Sequence, residues 1–93
     1  MTQAVIDTTS RAAVERGFRL QWEPAQNAHV LLYPEGMIRL NDSAAEILKY
    51  CDGTRTAAGI IAELKRRFPD ADLTAHVHEF LETAHGRGWI ARS

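Results

Sequence analysis

The sequence lacks most of the features that mark specialised functional classes. It has a single cysteine, Cys51, so no disulfide forms within the chain and a cytoplasmic protein is the simplest interpretation. No apolar run approaches the roughly 20 residues of a membrane-spanning helix, and residues 1–17 lack a signal-peptide pattern. The net charge of −1 argues against a dedicated nucleic-acid binder, because phosphate neutralisation supplies most of the affinity of such proteins.

Motifs that carry enzyme chemistry are also missing. The chain has no glycine-rich phosphate loop, no serine-based triad pattern and no pair of carboxylates that can be placed in one site. An enzyme is therefore the least supported class, and we expect no cofactor and no metal. The composition, 45% hydrophobic and 25% charged over 93 residues, is that of one globular domain with a small core.

The clearest pattern lies in residues 30–43, which predict a hairpin that runs into a helix. Pro34 presets φ in the turn over 33–36, and Gly36 can adopt positive φ. In the strand that follows, over 37–40, residues alternate so that one face is apolar. We expect this strand to lie at an open sheet edge, which is either protected from pairing or used for binding.

Three helices are predicted after this strand. Asp42 or Ser43 caps the first, with Glu46 at the spacing of a capping box, and the first helix ends at Asp52-Gly53. Thr54 or Thr56 caps the second, and the third starts at Asp72 or Thr74. Their apolar stripes are Ala44, Ile47, Leu48 and Cys51 in the first, Ile60, Ile61, Leu64 and Phe68 in the second, and Leu73, Val77, Phe80, Leu81 and Ala84 in the third.

The predicted fold class is α+β and winged-helix-like: a three-stranded antiparallel sheet followed by a three-helix bundle. Strands over 18–23 and 29–33 precede the strand at 37–40. Residues 1–15 are predicted to be a flexible N-terminal arm, and residues 16–93 a single domain. The predicted buried residues include Phe18, Leu20, Trp22, Ile47, Leu48, Ile61, Leu64, Phe80 and Leu81.

Other candidate sites have simpler structural explanations. His78, Glu82 and His85 share a helix face and could hold a metal, but a solvated polar face explains them better. Cys51 lies on an inward stripe, which favours a buried structural thiol over a nucleophile. The basic run over 65–67 is typical of a helix C-terminus, where the dipole favours cations.

Several short motifs resemble one protein family when they are read together. The motifs are Arg16-Gly17-Phe18-Arg19-Leu20, the Leu40-Asn41 step into Ser43-Ala44-Ala45-Glu46-Ile47-Leu48, Asp52-Gly53-Thr54-Arg55-Thr56, and Phe80-Leu81. Their order and spacing, over about residues 16–91, resemble the pyrroloquinoline quinone (PQQ) biosynthesis protein D family, whose related domains are called precursor-peptide recognition elements.

The resemblance implies a function and a binding mode. It implies a protein that binds the PQQ precursor peptide and presents it to a radical S-adenosylmethionine (SAM) enzyme, with the peptide added as a strand beside the third strand and over the third helix. The peptide-binding residues implied are Met37, Ile38, Arg39, Leu40, Asn41, Leu73, Val77, Phe80, Leu81 and Ala84. The resemblance gives no role to the N-terminal arm or to His76, His78 and His85.

Two alternatives and the oligomeric state stay open at this point. A winged-helix DNA-binding regulator would present Arg, Lys, Asn or Gln on the third helix, which instead carries histidines and carboxylates such as Glu79 and Glu82. A small metal-dependent enzyme at His78, Glu82 and His85 is the less favoured alternative. An open edge and a loose arm are compatible with a monomer or with a weak, strand-exchanged dimer.

Overall fold

The computed structural model describes residues 10–93 as two small sheets and three helices. The elements are, in chain order, β1 (Arg11–Val14), β2 (Arg19–Glu23), β3 (Ala28–Tyr33), β4 (Gly36–Arg39), α1 (Asp42–Lys49), β5 (Asp52–Thr56), α2 (Ala57–Arg67), α3 (Thr74–Gly86) and β6 (Ile90–Arg92). No helix in this part of the chain combines the length and apolar character needed to cross a bilayer.

The sheet that contains the predicted hairpin is antiparallel, with the strand order β2-β3-β4. Leu31 of β3 lies opposite Leu20 on one side and Ile38 on the other. These three side chains share one face, which packs against the helices: Leu31 is fully buried, and Leu20 and Ile38 are partly buried against the same core. The strands predicted before the helices are thus present, and β4 is an edge strand as expected.

The second sheet was not predicted from the sequence. It has the order β5-β1-β6, with Arg11 opposite Thr56 and Ala12 opposite Arg92, so it joins distant parts of the chain. The predicted flexible arm over 1–15 is therefore wrong for Arg11–Val14, because β1 is held between two strands. Residues 1–9 lie outside the described residues. In the chain, β5 lies between α1 and α2, and β6 follows α3. The three helices are therefore not a continuous C-terminal bundle.

The N-termini of α1 and α2 are capped by side chains, and two details of α1 differ from the sequence prediction. The Asn41 side chain caps α1 by accepting a hydrogen bond from the backbone N–H of Ala44 at 2.8 Å, a role that the sequence had assigned to Asp42 or Ser43. Thr56 caps α2 as predicted. α1 ends at Lys49 rather than at Gly53, whose positive φ instead falls within β5.

One core lies between the two sheets and the helices. Its largest fully buried side chains are Leu31, Ile47, Ile60, Leu64, Leu81, Ile90, Val30 and Val77. Most of the predicted buried residues belong to this core or pack against it. Trp22 does not: it is 49% exposed and has its indole edge-on to the ring of His29, with ring centroids 5.2 Å apart. Trp22 is near the outer edge of the sheet, where no described helix covers it.

Candidate functional site

The β4 strand presents unpaired backbone groups along its outer side. In an antiparallel pair, opposite residues alternate between hydrogen-bonded and non-hydrogen-bonded positions. The N–H of Leu40 donates to the carbonyl of His29 at 3.0 Å, so Ile38, two residues earlier, also directs its backbone groups toward β3. The N–H and C=O groups of Met37 and Arg39 therefore point away from β3. No strand among residues 10–93 pairs with β4 on that side.

A groove of about 270 Å³ lies beside this edge, between β4, the start of α1, and α3. Its lining residues are Ile38, Arg39, Leu40, Asn41, Ser43, Ala44, His76, Phe80, Thr83, Arg87 and Trp89. The aromatic end of the groove is formed by Phe80 and Trp89, whose ring centroids are 6.4 Å apart, and the Arg87 guanidinium lies 5.5 Å from the Trp89 ring centroid. The groove thus combines an apolar floor with cations.

The charge of the groove is of one sign. Arg39 and Arg87 are its charged lining residues, and none of the described residues that line it is a carboxylate. Of the acidic residues next to groove residues in the chain, Asp42 lines the neighbouring cavity, and Glu79 lines a smaller cavity with His76, Phe80 and Thr83. A ligand that brings apolar side chains and a carboxylate would therefore find complementary groups here, although exposed charge pairs of this kind contribute less than about 1 kcal/mol each.

A second, largely apolar cavity of about 250 Å³ adjoins the groove. It is lined by Asp42, Ser43, Glu46, Ile47, Leu64, Phe68, Ala71, Leu73, His76 and Val77. Glu46, at its rim, forms ion pairs with Lys49 at 2.9 Å and with Arg67 at 3.0 Å. The hydrogen bond from Lys49 and the nearby cations hold the pKa of Glu46 below its ordinary value. Ser43 and His76 line both cavities.

The structure brings together half of the site residues suggested by the sequence. The five that line the groove are Ile38, Arg39, Leu40, Asn41 and Phe80. Met37 supplies edge backbone, but its side chain is 47% exposed and alternates to the face opposite Ile38. Leu73 lies in the second cavity instead.

The remaining three predicted site residues lie in the core. Val77 lines the second cavity, none of the three lines the groove, and Val77, Leu81 and Ala84 all have no exposed surface, so their contact with a ligand stays a prediction. The physical reason for their burial is the helical period: residues at i, i+4 and i+7 form the stripe that α3 buries against α2 and the sheets. The sequence pattern identified the buried stripe of α3 but, of the neighbouring stripe that faces the groove, only Phe80.

That neighbouring stripe supplies groove residues that sequence reasoning missed. The missed residues of this stripe are His76, Thr83 and Arg87. Together with the predicted Phe80 they follow each other at intervals of four, three and four residues, so they share one face of α3 and its C-terminal end. The recurrence of aromatic and polar residues at this spacing was the available signal. Trp89 reaches the same groove from the turn before β6.

Neither of the other candidate sites acquires a chemical function in the structure. Within the described part of the chain, no three His, Cys, Asp or Glu side chains are grouped to hold a metal ion, so the metal site at His78, Glu82 and His85 has no geometric support. Cys51 is buried, and burial raises the pKa of its thiol to about 12. A thiol with that pKa stays protonated and is a poor nucleophile at neutral pH.

An open strand edge beside an apolar groove and a helix defines a class of protein: small α/β domains suited to taking up an extended peptide by strand addition. The family comparison is specific. The family model for Coenzyme PQQ synthesis protein D (PqqD) matches residues 28–90. The chain belongs to the PqqD family, as the sequence motifs indicated.

Relatives with assigned names support the same family. A protein from Azotobacter vinelandii named PqqA binding protein is 62% identical over 78 residues, covering 83% of this chain and 85% of the relative. A protein of the same name from Stutzerimonas stutzeri is 55% identical over 86 residues, covering 91% and 94% of the two chains. These names describe binding proteins and not enzymes.

The fold is also similar to a solved structure. The solution NMR structure of the PqqD truncation of Methylobacterium extorquens PqqCD matches with a TM-score of 0.77 and 27% sequence identity, over 95% of this chain and 96% of that one. That protein is described as a functional, stand-alone recognition element for ribosomally synthesized and post-translationally modified peptides.

Proposed function

We propose that this protein binds the precursor peptide of PQQ in the cytoplasm and presents it to a radical SAM enzyme, with no catalytic role of its own. The observation that carries the proposal is the open β4 edge beside the groove against α3. The names of its relatives, which are PqqA binding proteins, support the identity of the peptide. The match to a structure described as a peptide recognition element supports a peptide-binding role.

The peptide pairs as an extended strand with the outward N–H and C=O groups of Met37 and Arg39. Each such hydrogen bond contributes about 0.5–1.5 kcal/mol net and is largely indifferent to peptide sequence. Selectivity comes from alternate peptide side chains, which enter the groove over Ile38 and Phe80. Burial of one leucine or isoleucine there contributes about 1.5–3 kcal/mol.

The cations of the groove add a preference for acidic peptides. Arg39 and Arg87 flank the apolar floor, so a peptide with a carboxylate near its apolar anchors is preferred over a basic one. The same groove gives no support to the DNA-binding alternative, because the exposed residues of α3 outside it include Glu79 and Glu82, which repel phosphate.

The sharpest test removes one outward backbone donor without breaking the sheet. Arg39→Pro eliminates an N–H that points away from β3, whereas Ile38→Pro would remove a hydrogen bond between β3 and β4. We expect Arg39→Pro to fold and to lose most of its affinity for the labelled precursor peptide, while Arg39→Ala loses only the side-chain contribution. The affinity is measured by calorimetric titration, and the fold by circular dichroism.

A matched control lies at the opposite edge of the same sheet. Trp22→Pro changes an exposed residue of β2, far from the groove, and should leave precursor-peptide affinity unchanged. If Arg39→Pro folds and binds the peptide as tightly as the parent, β4 is not the binding edge. The enzyme partner is tested separately, by asking whether the purified radical SAM enzyme co-elutes with the protein and peptide together.

A further inference from the structure

The β2-β3-β4 sheet has a second open edge, at β2, where backbone N–H and C=O groups are unpaired. His29 of β3 directs its carbonyl toward β4, so its neighbours Ala28 and Val30 direct theirs toward β2. By the same alternation, Leu20 and Trp22 of β2 point their N–H and C=O groups away from β3. No strand among residues 10–93 pairs with β2 on this side.

Neither a bulge nor a proline within β2 protects this edge from pairing. The β2–β3 register runs without a bulge from Arg19 to Glu23, and the strand contains no proline. Trp22 is 49% exposed, the highest value among the large hydrophobic residues described as exposed. A regular edge strand with an exposed aromatic residue is a favourable surface for pairing with another strand.

The charges of β2 are complementary to those of a second β2 in antiparallel orientation. The strand reads Arg-Leu-Gln-Trp-Glu, with Arg19 at one end, Gln21 at the centre and Glu23 at the other end. Arg19 forms no ion pair within the described part of the chain, and Glu23 only accepts a hydrogen bond from the backbone of Ala25 at 3.3 Å. Both charges are therefore available to a partner.

We propose that two copies of this chain associate through their β2 strands, in antiparallel register about a two-fold axis at Gln21. This register places Arg19 of each copy opposite Glu23 of the other, and Leu20 opposite Trp22. It closes a symmetric interface in which the same residues contribute from both sides. The β2-β3-β4 sheets of the two copies then form one continuous sheet, and each Trp22 is covered by the β2 strand of the other copy.

The hydrogen-bond alternation agrees with this register. Leu20 and Trp22, whose backbone N–H and C=O groups point away from β3, become the hydrogen-bonded pair across the interface, as the antiparallel ladder requires. Arg19 and Glu23 become a non-hydrogen-bonded pair, the position at which facing side chains approach most closely, about 4.5 Å between Cα atoms. A register that pairs Gln21 of one copy with Trp22 of the other would place inward-facing backbone groups opposite outward-facing ones and cannot form the ladder. An axis at Leu20 or at Trp22 can form a ladder, but it does not place Arg19 opposite Glu23, so the charges favour the axis at Gln21.

The dimer leaves peptide binding possible. β2 and β4 are the opposite edges of one sheet, so joining two β2 strands puts both β4 edges and both grooves at the outer ends of the assembly. The dimer therefore does not depend on the proposed function. It would carry two peptides, with five-residue strands forming a small interface and a correspondingly weak, concentration-dependent association.

The test exchanges the two charges, with the full-length protein followed by sedimentation over a concentration series. Arg19→Glu alone and Glu23→Arg alone each place like charges opposite each other twice, so we expect dimer affinity to fall about tenfold. The double variant, Arg19→Glu with Glu23→Arg, restores opposite charges across the axis and should regain the parental affinity. Glu23→Gln keeps an oxygen for the backbone of Ala25 and controls for the turn.

Amide hydrogen exchange provides a second readout. In the dimer the N–H groups of Leu20 and Trp22 become protected as concentration rises, whereas those of Met37 and Arg39 do not. A parent protein that stays monomeric at the highest concentration reached would overturn the proposal. So would a dimer whose affinity is the same in the single and double charge variants, or whose protection appears along β4 instead.

Discussion

The imidazole Nε2 of His76 lies 3.0 Å from the hydroxyl oxygen of Ser43, and this contact joins the first turns of α3 and α1. Both residues line the groove beside β4 and also the second cavity. The hydrogen bond therefore lies where the two cavities meet. It connects α3 to the start of α1, next to the end of β4.

The first prediction is that His76→Ala weakens binding of the precursor peptide several-fold and changes stability little. The side chain is exposed, so the free energy of unfolding should change by less than about 1 kcal/mol, while the groove loses one wall and its link to α1. The control is His85→Ala, an exposed residue of α3 that lines neither cavity. Equal peptide affinities for the two variants, measured by calorimetry, would contradict the prediction.

The second prediction separates the core of α3 from its binding face. Leu81→Ala removes a fully buried side chain and should lower the free energy of unfolding by about 2–5 kcal/mol. Thr83→Ala, two residues away and exposed in the groove, should change it by no more than about 0.5 kcal/mol. Urea denaturation measures both, and comparable losses in the two variants would mean that the assignment of faces is wrong.

The fold could be predicted where local pattern decides it. The turn over 33–36, the edge position of β4 and the cap at Thr56 follow from residue chemistry over a few positions. The second sheet could not be predicted, because β5 reads Asp-Gly-Thr-Arg-Thr, which signals a turn and shows no apolar alternation. Its strands form because Arg11 pairs with Thr56 and Ala12 with Arg92, contacts that no local window contains.

The site could be predicted by strand and helix but not fully by residue. Alternation along β4 placed Ile38 and Leu40 on one face, since a strand has only two faces, and both residues line the groove. On α3 the apolar stripe identifies the residues that are buried in the core. The groove-facing residues form a second stripe, which lies beside the first around the helix axis. Which residues of that second stripe face a groove depends on the crossing of α3 with the sheet, as the positions of His76 and Thr83 show.

The third prediction concerns the residue that links the edge strand to α1. Asn41→Ala removes the side-chain oxygen that accepts the N–H of Ala44, so stability should fall by about 0.5–2 kcal/mol. Asn41→Asp keeps an acceptor at the same place and should retain most of the stability. Because Asn41 also lines the groove, we expect the alanine variant to bind peptide more weakly. Thermal denaturation checks the first effect, and an unchanged melting temperature would contradict it.

The fourth prediction is a stability change at alkaline pH that depends on Cys51. Burial, with a smaller contribution from the charge of Asp52, raises the pKa of this thiol from 9.0 to about 12. The unfolded chain releases the thiol proton above pH 9.0 while the folded chain keeps it, so the unfolded state is favoured as pH rises. The stability that the neutral thiol contributes is fully present below pH 9.0 and is lost progressively up to about pH 12, by at most about 1.4 kcal/mol per pH unit.

The measurement is urea denaturation at several pH values, for the parent and for Cys51→Ala, which is less stable at neutral pH but lacks this titration. The difference in unfolding free energy between the two should shrink above pH 9.0, and a difference that stays constant to pH 10.5 would show that the thiol ionises equally in both states.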